Sequence, residues 1–205
     1  MENEPLIDEP LKHELSALYR AEGRHYHNLA HIEAMLALAG HYQASLHDPE
    51  AVEAAIWFHD AIYDSRAKDN EARSAALAEK KLAGRSDTER LDRIAAMIIA
   101  TATHELPHFD DENAVRDAAL FLDMDLAILG ATPDAFDAYE QAVRREYGWV
   151  EEPMWRAGRS AVLKSFLARP DIFHTEEFRQ RFEVQARQNM ARSLKALGLA
   201  ESKQA

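Results

Sequence analysis

Apolar residues recur at helical spacing along nearly the whole of this sequence, and no segment alternates apolar and polar residues as a strand does. Signals for the start of a helix accompany this pattern. Asn28 precedes one apolar face, and Asp48, followed by a proline, precedes the next. We expect these two helices to run to about Tyr42 and Ile62. The pattern predicts an all-α protein of about eight to ten helices.

Further helix boundaries follow the same rules. The capping-box pattern of Ser86 and Glu89 predicts a helix through Thr101. Thr132, which precedes a proline, and Thr175, which begins an acidic turn, each predict another helix start. The glycines expected to end helices are Gly40, Gly84, Gly130 and Gly198.

Length and composition narrow the class of protein. A chain of 205 residues that is 47% hydrophobic suits one globular domain, which we expect to span residues 1–205 with its core in about 10–195. There are no cysteines, which excludes disulfides and thiolate metal sites. The longest apolar stretch, residues 94–102, is too short to cross a bilayer. Because the first residues include no basic region followed by an apolar run, the sequence predicts no secretory signal and a cytoplasmic location.

The net charge of −12 limits the possible partners. An acidic surface repels nucleic-acid backbones and anionic membranes, so we expect no wholesale binding to either. A small phosphorylated substrate remains compatible, because local cations such as Arg24, Arg66 and Lys68 can surround a pocket. A homodimer is the default expectation for the oligomeric state.

Polar residues interrupt the apolar faces of two predicted helices. His31 is aligned with apolar residues at helical spacing, and so is His59, which Asp60 follows directly. A histidine on such a face is either a hydrogen-bonded core residue or a metal ligand. Asp60 is either a solvated residue or a ligand at the edge of the same face.

Two carboxylates, Asp123 and Asp125, lie within the otherwise apolar segment 120–129. A buried carboxylate without a partner is strongly destabilising or takes up a proton. A metal ion or an arginine would stabilise it. The sequence therefore predicts that at least one of these aspartates has a cationic partner in the core.

The order of these motifs along the chain resembles the HD superfamily of metal-dependent phosphohydrolases. It is closest in pattern to a bacterial family of predicted phosphohydrolases whose biochemical role is poorly defined. The segments that carry the resemblance are residues 24–32, 57–64, 69–74, 102–105 and 123–130. The likeness covers about residues 10–195 and implies a single HD-type helical domain, a divalent metal and phosphate-ester chemistry.

The resemblance also implies a ligand set of His31, His59, Asp60 and Asp125. Asp125 is favoured because the final aspartate of related phosphodiesterases commonly follows a small residue and precedes Leu or Ile. Asp123 is the alternative ligand, or an outer partner that orients a histidine. Two imidazoles and two carboxylates suit Mn, Fe, Co or Ni, with Mg or Zn as further options, as one or two ions.

Other residues are candidates for the remaining roles. Asp64 is a candidate proton carrier or a surface residue, although Tyr63 stands where related alarmone hydrolases carry a first acid. His104 is a candidate catalytic residue, a ligand of a second metal or a helix cap. The substrate-binding candidates are Arg24, His27, Lys68, Asn70 and Glu71. Asn70 and Glu71 are equally well explained as an ordinary helix start, or as a contact to the segment that carries Asp64.

The function predicted from these motifs is hydrolysis of a small phosphate ester, a nucleotide or related metabolite, by a metal-activated water. Two alternatives come from other classes. One is a di-iron oxygenase or lyase on the same fold, and the other is a non-catalytic nucleotide-binding module.

Overall fold

The computed structural model describes residues 5–201, and every regular element in that range is helical. The earlier helices are α1 (Glu9–Tyr19), α2 (Leu29–His41), α3 (Pro49–Phe58), α4 (Asn70–Leu82), α5 (Thr88–Ala100) and α6 (Glu112–Leu126). The later ones are α7 (Pro133–Glu146), α8 (Glu152–Leu167), α9 (Glu176–Phe178) and α10 (Val184–Glu201). A π-helical turn, Arg179–Glu183, joins the last two, and 3-10 turns lie at Gln43–Ser45 and Ala127–Gly130. The all-α prediction is confirmed. Within the described range no helix combines the length and the apolar character needed to cross a membrane.

Residue contacts divide the chain into two compact units, Met1–Asp125 and Leu126–Ala205. In the first unit α3 packs against α1, α2, α4 and α5, and α4 packs along α5. In the second unit α10 packs against α8 and against the 3-10 turn that follows α6. The expectation of a single domain over residues 1–205 stays a prediction.

Side-chain caps place most helix starts where the sequence predicts them. Asn28 accepts a hydrogen bond from the backbone N–H of Ala30, and Asp48 accepts one from the N–H of Ala51. Thr175 caps α9 in the same way. The prediction at the start of α5 is wrong by one residue: Asp87 is the cap, not Ser86, because its carboxylate accepts the Arg90 N–H at 2.8 Å.

The predicted helix ends are less accurate. Gly84 follows α4 with a φ of +78°, a conformation that favours glycine, so this prediction is confirmed. Gly40 and Gly198 lie inside α2 and α10, and at these two positions the prediction is wrong. The helix that begins at Pro49 ends at Phe58 rather than at Ile62. This early end determines how the candidate site is built.

Candidate metal centre

Three side chains from three helices or their ends meet inside the first unit. The Nε2 atoms of His31 and His59 are 3.2 Å apart. One carboxylate oxygen of Asp125, Oδ1, lies 3.1 Å from the His31 Nε2 and 3.7 Å from the His59 Nε2. Both histidines are buried and Asp125 is nearly so. This buried group of His31, His59 and Asp125 could hold a metal ion.

The spacing of the three donor atoms agrees with the dimensions of a transition-metal site. Nitrogen and oxygen ligands lie about 2.0–2.2 Å from such an ion, which separates neighbouring donor atoms by about 3–3.6 Å. The three distances in the group lie in or next to that range. Little rearrangement is therefore needed for the group to bind one ion.

The hydrogen bonding of His59 also favours a cation in this group. Its Nδ1 lies 2.9 Å from the carbonyl oxygen of Ile56, and a carbonyl can only accept, so Nδ1 carries a hydrogen and donates it. In the neutral ring the Nε2 atom then presents a lone pair. That lone pair faces carboxylate oxygens of Asp60, at 3.0 Å, and Asp125, at 3.7 Å. Acceptors facing one another in a buried site require a shared cation, either a proton or a metal ion.

The titration of these groups reflects the same crowding of negative charge around one imidazole. Burial lowers the pKa of His59, but the nearby charges of Asp60 and Asp125 outweigh it and raise the pKa to about 9. Burial raises the pKa of Asp125, yet its hydrogen bonds with His104 and His31 hold that pKa well below its usual range. The pKa of Asp60 is lowered as well, against the effect of burial, chiefly by the charge of His59. The carboxylates are therefore ionised and ready to bind a cation.

Asp60 reaches this group because the helix ends before it. His59 is the C-terminal cap of α3, and Asp60 lies in the following turn. Within a helix, neighbouring side chains point about 100° apart and converge poorly on one point. Once the chain has left the helix, the Oδ2 of Asp60 lies 3.0 Å from the Nε2 of His59.

The turn after α3 is held by side chains from outside it. The Tyr19 hydroxyl donates to the Trp57 carbonyl oxygen at 2.9 Å, and the Arg24 guanidinium donates to those of Asp60, at 2.7 Å, and Ala61, at 2.9 Å. Backbone groups that leave a helix need such partners when they are not exposed to water. These contacts stabilise the early end of the helix and the turn that follows it.

Two residues of α4 continue this support. The Ser74 hydroxyl accepts a hydrogen bond from the Ile62 N–H and donates to the Ile62 carbonyl oxygen. Asn70 likewise accepts the Asp64 N–H at 3.0 Å and donates to the Asp64 carbonyl oxygen at 2.9 Å. Asn70 is thus both the first residue of α4 and a contact to the segment that carries Asp64, and its substrate contact stays a prediction.

His104 approaches Asp125 on the side away from the other imidazoles. Its Nε2 lies 2.9 Å from Oδ2 of Asp125, while Oδ1 faces His31 and His59. The backbone of His104 is left-handed, with a φ of +54°, at the end of the turn that follows α5. Among non-glycine residues histidine is one of those that adopt this conformation more often, at some cost in strain. The contact gives His104 a role in positioning Asp125; its role as a proton carrier stays a prediction.

The remaining candidates lie at different distances from the group. The His27 ring stacks on Tyr63 with centroids 4.2 Å apart and lies 6.4 Å from the ring of His31, so it borders the site. Asp64 and Lys68 are exposed, and Asp64 Oδ1 accepts a hydrogen bond from the Arg66 N–H. Glu71 lies half-buried in the first turn of α4. The predicted substrate contacts of these residues stay predictions.

The structure separates the two aspartates of α6. Asp125 belongs to the group with His31 and His59, as the sequence favoured, whereas Asp123 is fully buried and lies outside that group. Their positions differ because residues two apart on a helix point about 200° apart.

Tyr19 and Ser74 are the supporting residues that the sequence did not indicate. Tyr19 follows Leu11 and Leu15 at helical spacing and is indistinguishable from a core aromatic. Ser74 lies in a segment that carries the family resemblance, but nothing in the pattern assigns it a contact. Both act through backbone groups, which carry no sequence signal.

The hydrogen bonds that Arg24 donates to the carbonyl oxygens of Asp60 and Ala61 lead to a specific prediction. We expect Arg24→Gln to weaken binding of a divalent metal about 10- to 100-fold, because the segment that carries Asp60 loses two charge-assisted hydrogen bonds. The affinity is measured by competition with a chelating indicator dye. Arg20→Gln, which removes an exposed arginine four residues earlier, is the matched control and should leave the affinity unchanged. Equal affinities in both variants would rule out the positioning role.

No family model matches the chain, and the searches of curated proteins and of solved structures each found no match.

Proposed function

We propose that the chain is a metal-dependent phosphohydrolase of the HD superfamily that acts on a small phosphate ester, a nucleotide or related metabolite. The observation that carries the proposal is the Nε2 of His59, which faces the carboxylates of Asp60 and Asp125 and the Nε2 of His31. A buried arrangement of acceptors around one point is stable when a cation occupies that point. The order of the same residues along the chain supports the family resemblance.

The donor set favours particular ions. Two imidazole nitrogens with carboxylate oxygens suit Mn, Fe, Co or Ni, with Mg or Zn as further options. An ion held there lowers the pKa of a bound water and polarises a phosphoryl oxygen of the substrate.

The chain's own residues supply orientation around that site. Arg24 fixes the backbone of Asp60, and His104 donates a hydrogen bond from its Nε2 to Asp125. His27, stacked on Tyr63 beside the group, is placed to contact a phosphate oxygen, and Lys68 remains a candidate for charge compensation. Asp64 lies exposed after the turn, where a proton carrier would exchange readily with solvent.

The proposal is tested by hydrolysis of a panel of nucleoside phosphates and sugar phosphates. The protein is stripped with chelator and reloaded separately with Mn, Fe, Co and Ni. We expect turnover of at least one ester, falling at least about 100-fold in His59→Gln, because that variant loses a ligand. His108→Gln, which changes a fully exposed histidine, is the matched control and should keep full activity.

Two outcomes would contradict hydrolysis. A fully metal-loaded wild-type protein that is no faster than His59→Gln on any ester would exclude it for that panel. Tight binding of a nucleotide by the loaded protein without turnover would favour the non-catalytic binding module instead.

A second candidate, a di-iron oxygenase or lyase, is favoured by one observation. The two carboxylate oxygens of Asp125 face imidazoles on opposite sides, with Oδ1 toward His31 and Oδ2 toward His104. A carboxylate so placed is able to bridge two ions. Two irons per chain with a visible charge-transfer band would support this candidate, and one ion per chain would exclude it.

A further inference from the structure

The excess of acidic over basic residues in this chain lies entirely in its first unit. Residues 1–125 contain 25 Asp and Glu against 12 Lys and Arg, whereas residues 126–205 contain 11 against 12. The repulsion of anions that the net charge implies therefore does not extend to the second unit taken by itself.

Within the second unit, α7, α8 and α10 enclose an open groove of about 490 Å³. Its cationic lining consists of Arg144 and Arg145 from α7 and Arg156 from α8, and Trp155 lies beside them. Small-molecule sites in proteins have volumes of about 300–1,000 Å³ and combine an apolar wall with a few polar groups. The groove has a volume within this range, and Trp155, Ala196 and Leu197 supply apolar surface beside the arginines.

The three arginines differ in how many of their N–H groups are already used. Arg144 donates to the carbonyl oxygens of Tyr147 and Val150 and to Glu152, and its guanidinium lies 5.2 Å from the centre of the Trp155 ring. Arg144 is therefore held in the wall of the groove by contacts within the protein.

Arg156 and Arg145 retain free donors. Arg156 uses Nε for Glu152 and Nη1 for the Leu197 carbonyl oxygen, which leaves Nη2 without a hydrogen bond to any described residue. The side chain of Arg145 is exposed and makes no hydrogen bond or ion pair with the described part of the chain.

The acidic residues near the groove do not neutralise these donors. Glu140 lines the groove but is held by Arg159 and by the Ser193 hydroxyl. Glu152 is shared between Arg144 and Arg156. Among the described residues that line the groove, three arginines thus face one carboxylate, Glu140, and the groove carries a net positive charge.

We propose that this groove binds a small phosphate-bearing ligand, with the phosphate on Arg145 and Nη2 of Arg156 and the organic part against Trp155. Guanidinium groups match phosphate oxygens in geometry and charge. A terminal phosphate carries up to two negative charges on three oxygens, so it binds two guanidinium groups more strongly than a carboxylate, which carries one charge on two oxygens. All residues of this site belong to the second unit.

The test follows the indole N–H signals of the full-length protein by NMR during titration with inorganic phosphate and then with pyrophosphate. We expect a saturable shift of the Trp155 signal, assigned with Trp155→Phe. Trp57, in the first unit, reports separately on any binding there. Arg145→Gln should weaken binding at least about tenfold, since one charge-assisted contact is lost, and Arg145 has no contact whose loss would affect folding.

Lys195→Gln is the matched control, because it removes one exposed cation from α10 at a position that does not line the groove. We expect it to change the dissociation constant by no more than about twofold. Acetate serves as the single-carboxylate probe and should bind more weakly than inorganic phosphate. The proposal is overturned if Trp155 shows no saturable shift, if Lys195→Gln weakens binding as much as Arg145→Gln, or if acetate binds as tightly as inorganic phosphate.

Discussion

Replacing Asp125 by asparagine should prevent this protein from holding a metal ion and leave the chain folded. We expect Asp125→Asn to bind a divalent transition metal at least about 100-fold more weakly than the wild type, since loss of an outer-shell partner alone costs 10- to 100-fold. The reason is that Oδ1 of Asp125 lies within 3.7 Å of both imidazole nitrogens. Asp125 therefore supplies the negative charge of the donor group, and the substitution removes that charge. The measurement is metal content by mass spectrometry after purification without chelator, together with circular dichroism.

Two further aspartates serve as controls for this substitution. Asp110→Asn changes a fully exposed carboxylate and should retain the wild-type metal content. Asp123→Asn changes the buried carboxylate on the same helix, and we expect it to retain metal because Asp123 lies outside the donor group. Loss of metal in Asp123→Asn but not in Asp125→Asn would reverse the assignment. A wild type that binds no metal even after incubation with Mn would make the group a hydrogen-bonded core.

The pH dependence of metal binding gives an independent readout of the same site. His59 in the metal-free protein has a pKa of about 9, raised from its ordinary value of 6.5. Below that pKa its Nε2 carries a proton, which the metal must displace. The affinity should therefore rise with pH up to about 9, by at most about tenfold per unit for one displaced proton, and then level off.

Arg159→Met should lower the free energy of unfolding by about 3–5 kcal/mol, the usual cost of breaking a buried ion pair from one side. Arg159 is only 9% exposed and donates to Glu140 and, at 2.9 Å, to the Tyr139 hydroxyl. Without the guanidinium, the largely buried carboxylate of Glu140 keeps only the hydrogen bond from Ser193. Urea unfolding followed by fluorescence of Trp149 and Trp155, which belong to the same unit, measures the change.

The control for Arg159 is a surface pair of the same kind. Arg192 contacts Asp137 at 2.8 Å with both side chains about half exposed, and Arg192→Met should cost no more than about 1 kcal/mol. The double substitution Arg159→Met with Glu140→Met removes both buried charges and should recover most of the loss. Equal effects of Arg159→Met and Arg192→Met would show that burial of the first pair has no energetic consequence.

The helices are the part of the molecule that local sequence determines most completely. Asn28, Asp48 and Thr175 each cap a helix where their sequence context predicts it, because the bond joins a side chain to a backbone N–H two or three residues away. Helix ends were less predictable: Gly198 lies inside α10 and Gly84 lies beyond α4, although both are glycines in similar contexts.

The residues of the candidate site were likewise predictable from local sequence only in part. Polar residues in apolar segments marked His31, His59 and the pair Asp123 and Asp125, since burying such groups is costly unless they share a partner. The family resemblance, not the local pattern, favoured Asp125 over Asp123. Nothing local indicated that α3 would end at Phe58, and the direction of Asp60 depends on that end.

The sequence by itself determined that the chain is helical, and it marked imidazoles and carboxylates in apolar segments as residues that could hold a metal ion. Only the tertiary structure decided which oxygen meets which nitrogen. It did so because Tyr19, Arg24 and Ser74, up to 38 positions along the chain from their partners, bind the backbone of residues 57–62. Any backbone carbonyl or N–H could accept or donate these bonds, so their partners are chosen by packing and leave no pattern in the sequence.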